Sequence, residues 1–153
     1  IRDKLVTGVQ TCALPILLGH GADRALGFDE LSQAADVDVV LDYVWGAPTA
    51  QAMADIVTAR TDRGAPLTWI EIGSVAGPTA SIPSAAFRAA RLDLVGSGIG
   101  SVSPEEFGAE LPAIAEAVSR GEFDIDVRAV PLSDVASVWR DDPGATERVV
   151  FVP

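Results

Sequence analysis

Short runs of β-branched and other apolar residues recur along the chain, separated by stretches in which apolar positions have helical spacing. The run VDVVLDYV at 37–44 is almost continuously apolar, which is typical of a parallel strand buried on both faces of a sheet. By the same criterion the sequence predicts strands at 24–28, 37–44, 67–74, 92–98, 126–132 and 148–153.

Helical patterns fill most of the intervals between these strands, at 49–60, 83–90, 103–121 and 133–142. The third helix begins with Ser103 as N-cap, Pro104 at the first helical position and a capping-box glutamate. Pro112 lies inside this helix, so we expect a kink or two shorter helices that meet there. Alternating strands and helices of these lengths predict an α/β fold with a parallel sheet.

Residues 1–16 stand apart from the remainder of the sequence. They contain Lys4 and Cys12, the chain's only lysine and only cysteine. The segment VTGVQTCALPI matches the translation of a common short-read sequencing adapter. The preceding IRD matches the adapter stretch before the sample index, and KL stands where the index would be. We therefore interpret 1–16 as a non-native, adapter-derived segment and expect the natural sequence to begin near Leu17.

The chain is strongly acidic, with a formal net charge of −11 at pH 7. Removing Arg2, Asp3 and Lys4, which together carry +1, changes −11 to −12. Because such a charge repels phosphate backbones and anionic lipid, we expect no nucleic-acid or membrane partner. No apolar run reaches the roughly 18 to 20 residues of a membrane span, and we expect a cytoplasmic protein. His20 alone cannot form a zinc site, which typically needs three or four ligands, so we expect no metal in this chain.

The motif GSGIGS at 96–101 is a glycine-rich turn between a predicted strand and a predicted helix, where dinucleotide phosphates are often held. The third glycine of a G-x-G-x-x-G fingerprint would fall at Ser101. Glu105 and Glu106 occupy the first turn of the following helix and would repel a pyrophosphate. The pattern therefore disfavours a phosphate cradle and leaves open a structural turn or a contact with another part of a ligand.

Several catalytic patterns are missing from residues 17–153. Without a lysine there is neither a Walker phosphate-binding motif nor the tyrosine–lysine pair of short-chain dehydrogenases. Ser74 and Ser97 have no evident histidine base, since the single histidine, His20, is interpreted as a polar residue at a helix C-terminus. The three tryptophans have no regular spacing and are interpreted as packing residues: Trp45, Trp69 and Trp139.

Five segments in order carry a resemblance to a known family: GADRALGFDE, VDVVLDYVWG, WIEIGSVAGP, LDLVGSGIGS and the ending VPLSDVASVW…RVVFVP. Together they resemble the C-terminal part of the medium-chain dehydrogenase/reductase family. The resemblance is greatest to its quinone oxidoreductase and zinc-binding alcohol dehydrogenase-like members, and it extends over 17–153.

This resemblance implies a partial Rossmann domain at 17–122 and a return to a GroES-like catalytic domain at 123–153. In the family's strand order 3-2-1-4-5-6, the predicted strands at 24–28, 37–44, 67–74 and 92–98 would be the third to sixth. The first two strands and the glycine fingerprint for the pyrophosphate would lie upstream. A homodimer through the sixth strand is a further expectation.

The resemblance also implies a cofactor site at the carboxyl ends of these strands, where open parallel sheets bind ligands. The cofactor would be NAD or NADP, with backbone groups after the fifth strand bonding the nicotinamide carboxamide. Whether the parent enzyme uses zinc stays open. The residues implied at the cofactor are Tyr43, Val44, Ile72, Gly73, Ser74, Ser97, Gly98 and Ile99.

Three interpretations of function remain. The first is a fragment of an NAD(P)-dependent oxidoreductase that transfers hydride to or from a quinone, an enone or an alcohol/carbonyl substrate, and is inactive alone. The second is an assembly artefact without function, and the third is a small acidic binding domain. For a fragment we expect a three-stranded remnant sheet in which 39–41 forms an exposed edge, with 24–28 loose or paired against that edge.

Overall fold

The structure, a computed structural model, describes residues 5–7, 14–19, 21–123, 127–139 and 148–153. Its strands are β1 (Leu5–Thr7), β2 (Arg24–Leu26), β3 (Val39–Asp42), β4 (Leu67–Glu71), β5 (Leu92–Gly96), β6 (Val127–Pro131) and β7 (Arg148–Val152). Its α-helices are α1 (Leu14–Gly19), α2 (Gly46–Ala59), α3 (Ser84–Ala89), α4 (Pro104–Ser119) and α5 (Val135–Val138). Short 3₁₀ helices span Phe28–Ala34, Ile99–Ser101 and Leu132–Asp134.

The chain forms two compact units, residues 1–102 and 103–153. In the first unit, β3, β4 and β5 form a parallel three-stranded sheet in that order. This confirms the predicted α/β class and the three-stranded remnant. The boundary at 122/123 expected from the family resemblance, and a dimer through β5, stay predictions.

One face of this sheet carries the core of the first unit. Leu67 and Trp69 on β4 are buried there against α2, whose Met53 and Val57 are also buried. Ala86 of α3 joins the same cluster. The burial of these apolar side chains supplies the main driving force for folding of the unit.

The opposite face of the sheet is open. Val39, Leu41 and Val95 share this face and are 47%, 59% and 44% exposed. Among the described residues, β3 is paired on one side only. The run at 37–44 therefore has buried positions on a single face, and the expected exposed edge at 39–41 is confirmed.

β2 has a partner that the sequence did not predict. Arg24–Leu26 pairs in parallel with Leu5–Thr7, from the segment interpreted as adapter-derived. The expectation that 24–28 would be loose or paired against β3 is therefore wrong. The physical reason is that an apolar strand gains backbone hydrogen bonds from any adjacent extended segment, whatever its origin.

The second unit contains α4 and the parallel pair β6–β7. The capping box of α4 is present: Ser103 accepts a hydrogen bond from the Glu106 backbone N–H and donates one to its carboxylate. These bonds, from the Ser103 backbone and then its side chain, lower the pKa of Glu106. A single helix continues through Pro112, so the two-helix alternative is wrong.

Several element boundaries differ from the predicted ones. The second helix begins at Gly46 rather than 49, and the strands predicted to end at 74 and 98 end at Glu71 and Gly96. The residues that follow these strands form irregular loops. The helix predicted at 133–142 is helical at Leu132–Val138, and 140–142 lie outside the described residues.

Candidate functional site

The carboxylate of Asp42 organises the carboxyl end of β3. It is 5% exposed and accepts four hydrogen bonds, from the backbone N–H groups of Val44 (2.8 Å) and Trp45 (3.0 Å), the Thr49 hydroxyl (2.7 Å) and the Trp69 indole (3.0 Å). Burial raises the pKa of Asp42, but these hydrogen bonds outweigh it and hold the pKa below its ordinary value. The group is therefore an ionised structural anchor rather than a proton acceptor for catalysis.

Trp45 follows this anchor in a conformation that side-chain-bearing residues rarely adopt. Its φ and ψ are 53° and −166°, and it is the one non-glycine residue with positive φ in the part of the chain that the structure describes. Gly46, with φ 72°, begins α2, and a Cβ there would lie 3.2 Å from the Ala76 backbone. Such strain costs about 1–3 kcal/mol and is often found at ligand sites.

Backbone hydrogen bonds join the loops that follow β3 and β4. The N–H of Val75 donates to the Tyr43 carbonyl (3.3 Å) and that of Ala76 to the Val44 carbonyl (2.8 Å). Tyr43 is 57% exposed at this edge. The two loops thus form one continuous rim.

The N–H groups of Ile72 and Gly73 are already bonded within the protein. Both donate to the Asp42 carbonyl, at 2.8 and 3.2 Å. A Cβ on Gly73 would lie 3.1 Å from the Tyr43 carbonyl oxygen. The glycine is therefore required by the close approach of two loops, and only carbonyl groups remain there for an amide ligand.

The loop after β5 is more open. The Ser97 N–H donates to the Glu71 carbonyl (2.7 Å), and the Gly98 N–H donates to the Ser101 hydroxyl (2.9 Å). A Cβ on Gly98 would meet no atom within 4 Å, and Ile99 is 83% exposed. Ser101 thus closes the turn on itself, at the position where a phosphate-binding fingerprint would have its third glycine.

A cavity of about 400 Å³ lies beside this rim, within the usual size range for small-ligand pockets. Of the eight residues implied at the cofactor, Ser74 lines it, and the remainder lie in the three adjacent loops. Sequence reasoning missed most of its walls, and the positive φ of Trp45 has no signal in the sequence. The lining residues are Trp45, Glu71, Ser74, Pro78, Leu94, Val95 and Gly96.

The described residues form neither a metal centre nor a membrane-spanning helix. They contain no group of three or more histidine, cysteine, aspartate or glutamate side chains arranged to hold a metal ion. Within the same residues, no helix is both long and apolar enough to cross a membrane. His20 and Cys12 lie outside the described residues.

Comparison with known proteins gives one relative by sequence. Over 125 residues the chain is 28% identical to the "Probable NADPH-dependent quinone reductase tdiC" of Emericella nidulans. The match covers 76% of this chain and 34% of the relative, so the chain spans about a third of that protein's length. No protein-family model matches the chain.

Solved structures give a consistent fold. A mycobacterial quinone oxidoreductase superposes with a TM-score of 0.75 at 20% identity, over 97% of this chain and 48% of that one. The chain has the fold of quinone oxidoreductases and alcohol dehydrogenases. Mycobacterial Rv1454c complexed with NADPH superposes with a TM-score of 0.66 at 20% identity, again over 97% of this chain and 48% of that one.

An alcohol dehydrogenase of Pyrobaculum aerophilum shares this fold at a TM-score of 0.62 and 21% identity, over 97% of this chain and 42% of that one. The chain therefore covers less than half of each of these structures. The resemblance inferred from five sequence segments is confirmed, since relatives by sequence and by structure are quinone reductases and alcohol dehydrogenases.

Proposed function

We propose that the chain is the nicotinamide-binding part of an NADPH-dependent oxidoreductase, acting on a quinone, an enone or another carbonyl compound. The name of its relative by sequence and the NADPH complex of a structural neighbour support this proposal. The observation that carries it is a cavity at the carboxyl edge of a parallel sheet, lined by Trp45 after β3, by the end of β4 and the loop that follows it, and by the end of β5.

The proposal assigns the eight sequence-derived residues to this cofactor end. Tyr43 and Val44 would form the outer rim, and the carbonyls of Ile72 and Gly73 would accept hydrogen bonds from the carboxamide, because their N–H groups are already used. Ser74 and the loop of Ser97, Gly98 and Ile99 would flank the ring, where the space beside Gly98 is open. NADPH, when bound, supplies the hydride, while these residues orient its ring.

We expect the 153-residue chain by itself to bind NADP or NAD only weakly. The pyrophosphate accounts for much of dinucleotide recognition, and the glycine turn at 96–101 is closed by Ser101 and followed by two glutamates. Isothermal calorimetry measures this directly. Micromolar binding of either cofactor to the chain would contradict the assignment of the pyrophosphate site to upstream sequence.

The activity is tested by replacing residues 1–16 with the upstream sequence of the parent gene. We expect NADPH oxidation that depends on a quinone or an enone. A cofactor-loaded, folded protein with no activity across a panel of quinones, enones and aldehydes would refute the proposed function.

The same restored protein tests the ring position. Ser97→Trp should lower kcat at least about tenfold, because a misplaced reacting ring loses that much or more. The matched control is Ser32→Trp, at an exposed residue of the 3₁₀ helix Phe28–Ala34, which should leave turnover unchanged. Equal turnover in both variants would show that the loop after β5 does not contact the ring.

A further inference from the structure

The cavity beside the rim combines an aromatic wall with a carboxylate. Trp45 and Glu71 line it, and Leu94 and Pro78 supply apolar surface. Apolar surface beside a charge strengthens an electrostatic interaction relative to bulk water, less so here than in a closed interior because the cavity is open to solvent on one side. The composition of the walls therefore determines which ligand charge is favoured.

In the part of the chain that the structure describes, no ion pair compensates the carboxylate of Glu71. It is half-buried at the end of β4, and among the residues that the structure describes neither a salt bridge nor a side-chain hydrogen bond reaches it. Burying part of an ionised group without a partner is unfavourable. A cation in the cavity would remove this cost.

Trp45, one of the residues that line the cavity, stands on a strained backbone. The Asp42 carboxylate fixes the Trp45 N–H at 3.0 Å, and Gly46 allows the chain to turn directly into α2. Tryptophan is the aromatic side chain that attracts cations most strongly over its ring face. An aromatic residue of this kind and an acidic residue, Trp45 and Glu71, thus line the same cavity.

We propose that this cavity binds a flat organic cation, stacked on Trp45 and neutralised by Glu71. Apolar surface from Leu94 and Pro78 would shield part of the ring from water. A neutral ring of the same shape would lose the charge interaction, and an anionic ring would be repelled by Glu71 and by the acidic surface of the protein.

The identity of the natural occupant rests on the proposed function, whereas the charge preference of the cavity does not. A nicotinamide ring is a planar cation when oxidised and neutral when reduced. If this ring occupies the cavity, the protein favours the oxidised cofactor. The preference would then set the balance between cofactor binding before and after hydride transfer.

The test titrates the full 153-residue chain with 1-methylnicotinamide, a planar cation, and with neutral nicotinamide, and follows binding by NMR shifts of the tryptophan indole N–H signals. We expect the cation to bind about tenfold more tightly, the ratio expected for a partly desolvated charge and cation–π contact. Glu71→Gln should reduce the preference for the cation to the part that Trp45 supplies, and Glu71→Asp should retain the full preference. Trp45→Leu should lower the affinity for the cation more than the affinity for the neutral ring.

Asp93→Asn is the matched control, because Asp93 is an exposed acid on β5 that lies outside the cavity lining. It removes the same charge from the protein and should leave the preference intact. Equal affinity for both ligands, binding of neither, or a preference that Asp93→Asn lowers as much as Glu71→Gln would overturn the proposal. Failure of the restored enzyme to reduce any acceptor would refute the proposed function and leave this charge preference standing.

Discussion

At the residue scale, the site depends on a buried acid and a strained tryptophan. The Asp42 carboxylate accepts hydrogen bonds from the two backbone N–H groups that precede α2, in place of an ordinary N-cap side chain. The Thr49 hydroxyl and the Trp69 indole N–H also donate to this carboxylate and hold it in position. These bonds offset the strain at Trp45. The stability of the fold and the position of the cavity wall are thus coupled at one turn.

The strain at Trp45 is measurable by comparing two substitutions that both remove the indole. We expect Trp45→Gly to be more stable than Trp45→Ala by about 1 kcal/mol, because glycine adopts positive φ without steric cost while alanine does not. Urea denaturation of both variants gives the difference. A more stable alanine variant would show that the turn relaxes when the indole is removed.

The ionised state of Asp42 makes stability depend on pH. Its folded-state pKa lies below the unfolded value of about 3.9, so its stabilisation is present above that value and is lost as pH falls through the folded pKa. Asp42→Asn should cost about 2 kcal/mol at pH 7, because an amide group then faces the Thr49 and Trp69 donors. The difference between wild type and variant should shrink below about pH 4 in denaturation curves. A constant difference would contradict the anchoring role.

At the element scale, the rim forms because loops after neighbouring parallel strands bond one another. β3 and β4 end in register, Asp42 opposite Glu71, so the loops that follow run side by side. Their backbone groups then pair, as buried or crowded N–H and carbonyl groups generally must. The consequence is that a change in one loop moves the other.

Alanine substitutions at two glycines near the cavity should have different effects on stability, because one glycine is closely packed and the other is open to solvent. Gly73→Ala should destabilise the chain by about 1–2 kcal/mol, since the new Cβ lies 3.1 Å from the Tyr43 carbonyl oxygen. Gly98→Ala should be neutral or stabilise by up to about 1 kcal/mol, because its backbone is extended and the space beside it is open. Thermal melts of the two variants check this, and equal melting temperatures would argue against the close approach.

At the scale of the whole molecule, the sheet of the first unit is covered on one face. Doubly wound parallel sheets usually have helices on both faces, and an exposed apolar face with an unpaired edge favours self-association. Val39 and Leu41 lie on the open face and at the edge. We therefore expect the chain to be poorly soluble.

Leu41→Lys should raise the soluble yield and reduce light scattering, with a change in stability within about 0.5 kcal/mol, because Leu41 is 59% exposed. Val40→Lys is the matched control. Val40 packs against the core on the other face, so a lysine there should destabilise the unit by about 3 kcal/mol or more. Unchanged scattering for Leu41→Lys would show that the open face does not cause association.

Hydrophobic and polar spacing in the sequence was enough to predict the α/β class with a parallel sheet and the capping box of α4, because these depend on local periodicity and on side chains three residues apart. The order of the three central strands was expected from the family resemblance and not from spacing. The quinone-reductase resemblance also came from residue order and is confirmed by the comparisons. Residue spacing also drew attention to the glycines of 96–101, although not to the reason each one is there.

Tertiary structure decided the rest. The pairing of β2 with Leu5–Thr7, the place of Glu71 in the cavity wall and the strained turn at Trp45 each depend on which distant segments meet, which no local pattern records. Gly73 is an example. The sequence predicts that another group lies close to its backbone, but only the packed loops show that this group is the Tyr43 carbonyl. Local periodicity specifies elements, whereas contacts between distant segments specify a site.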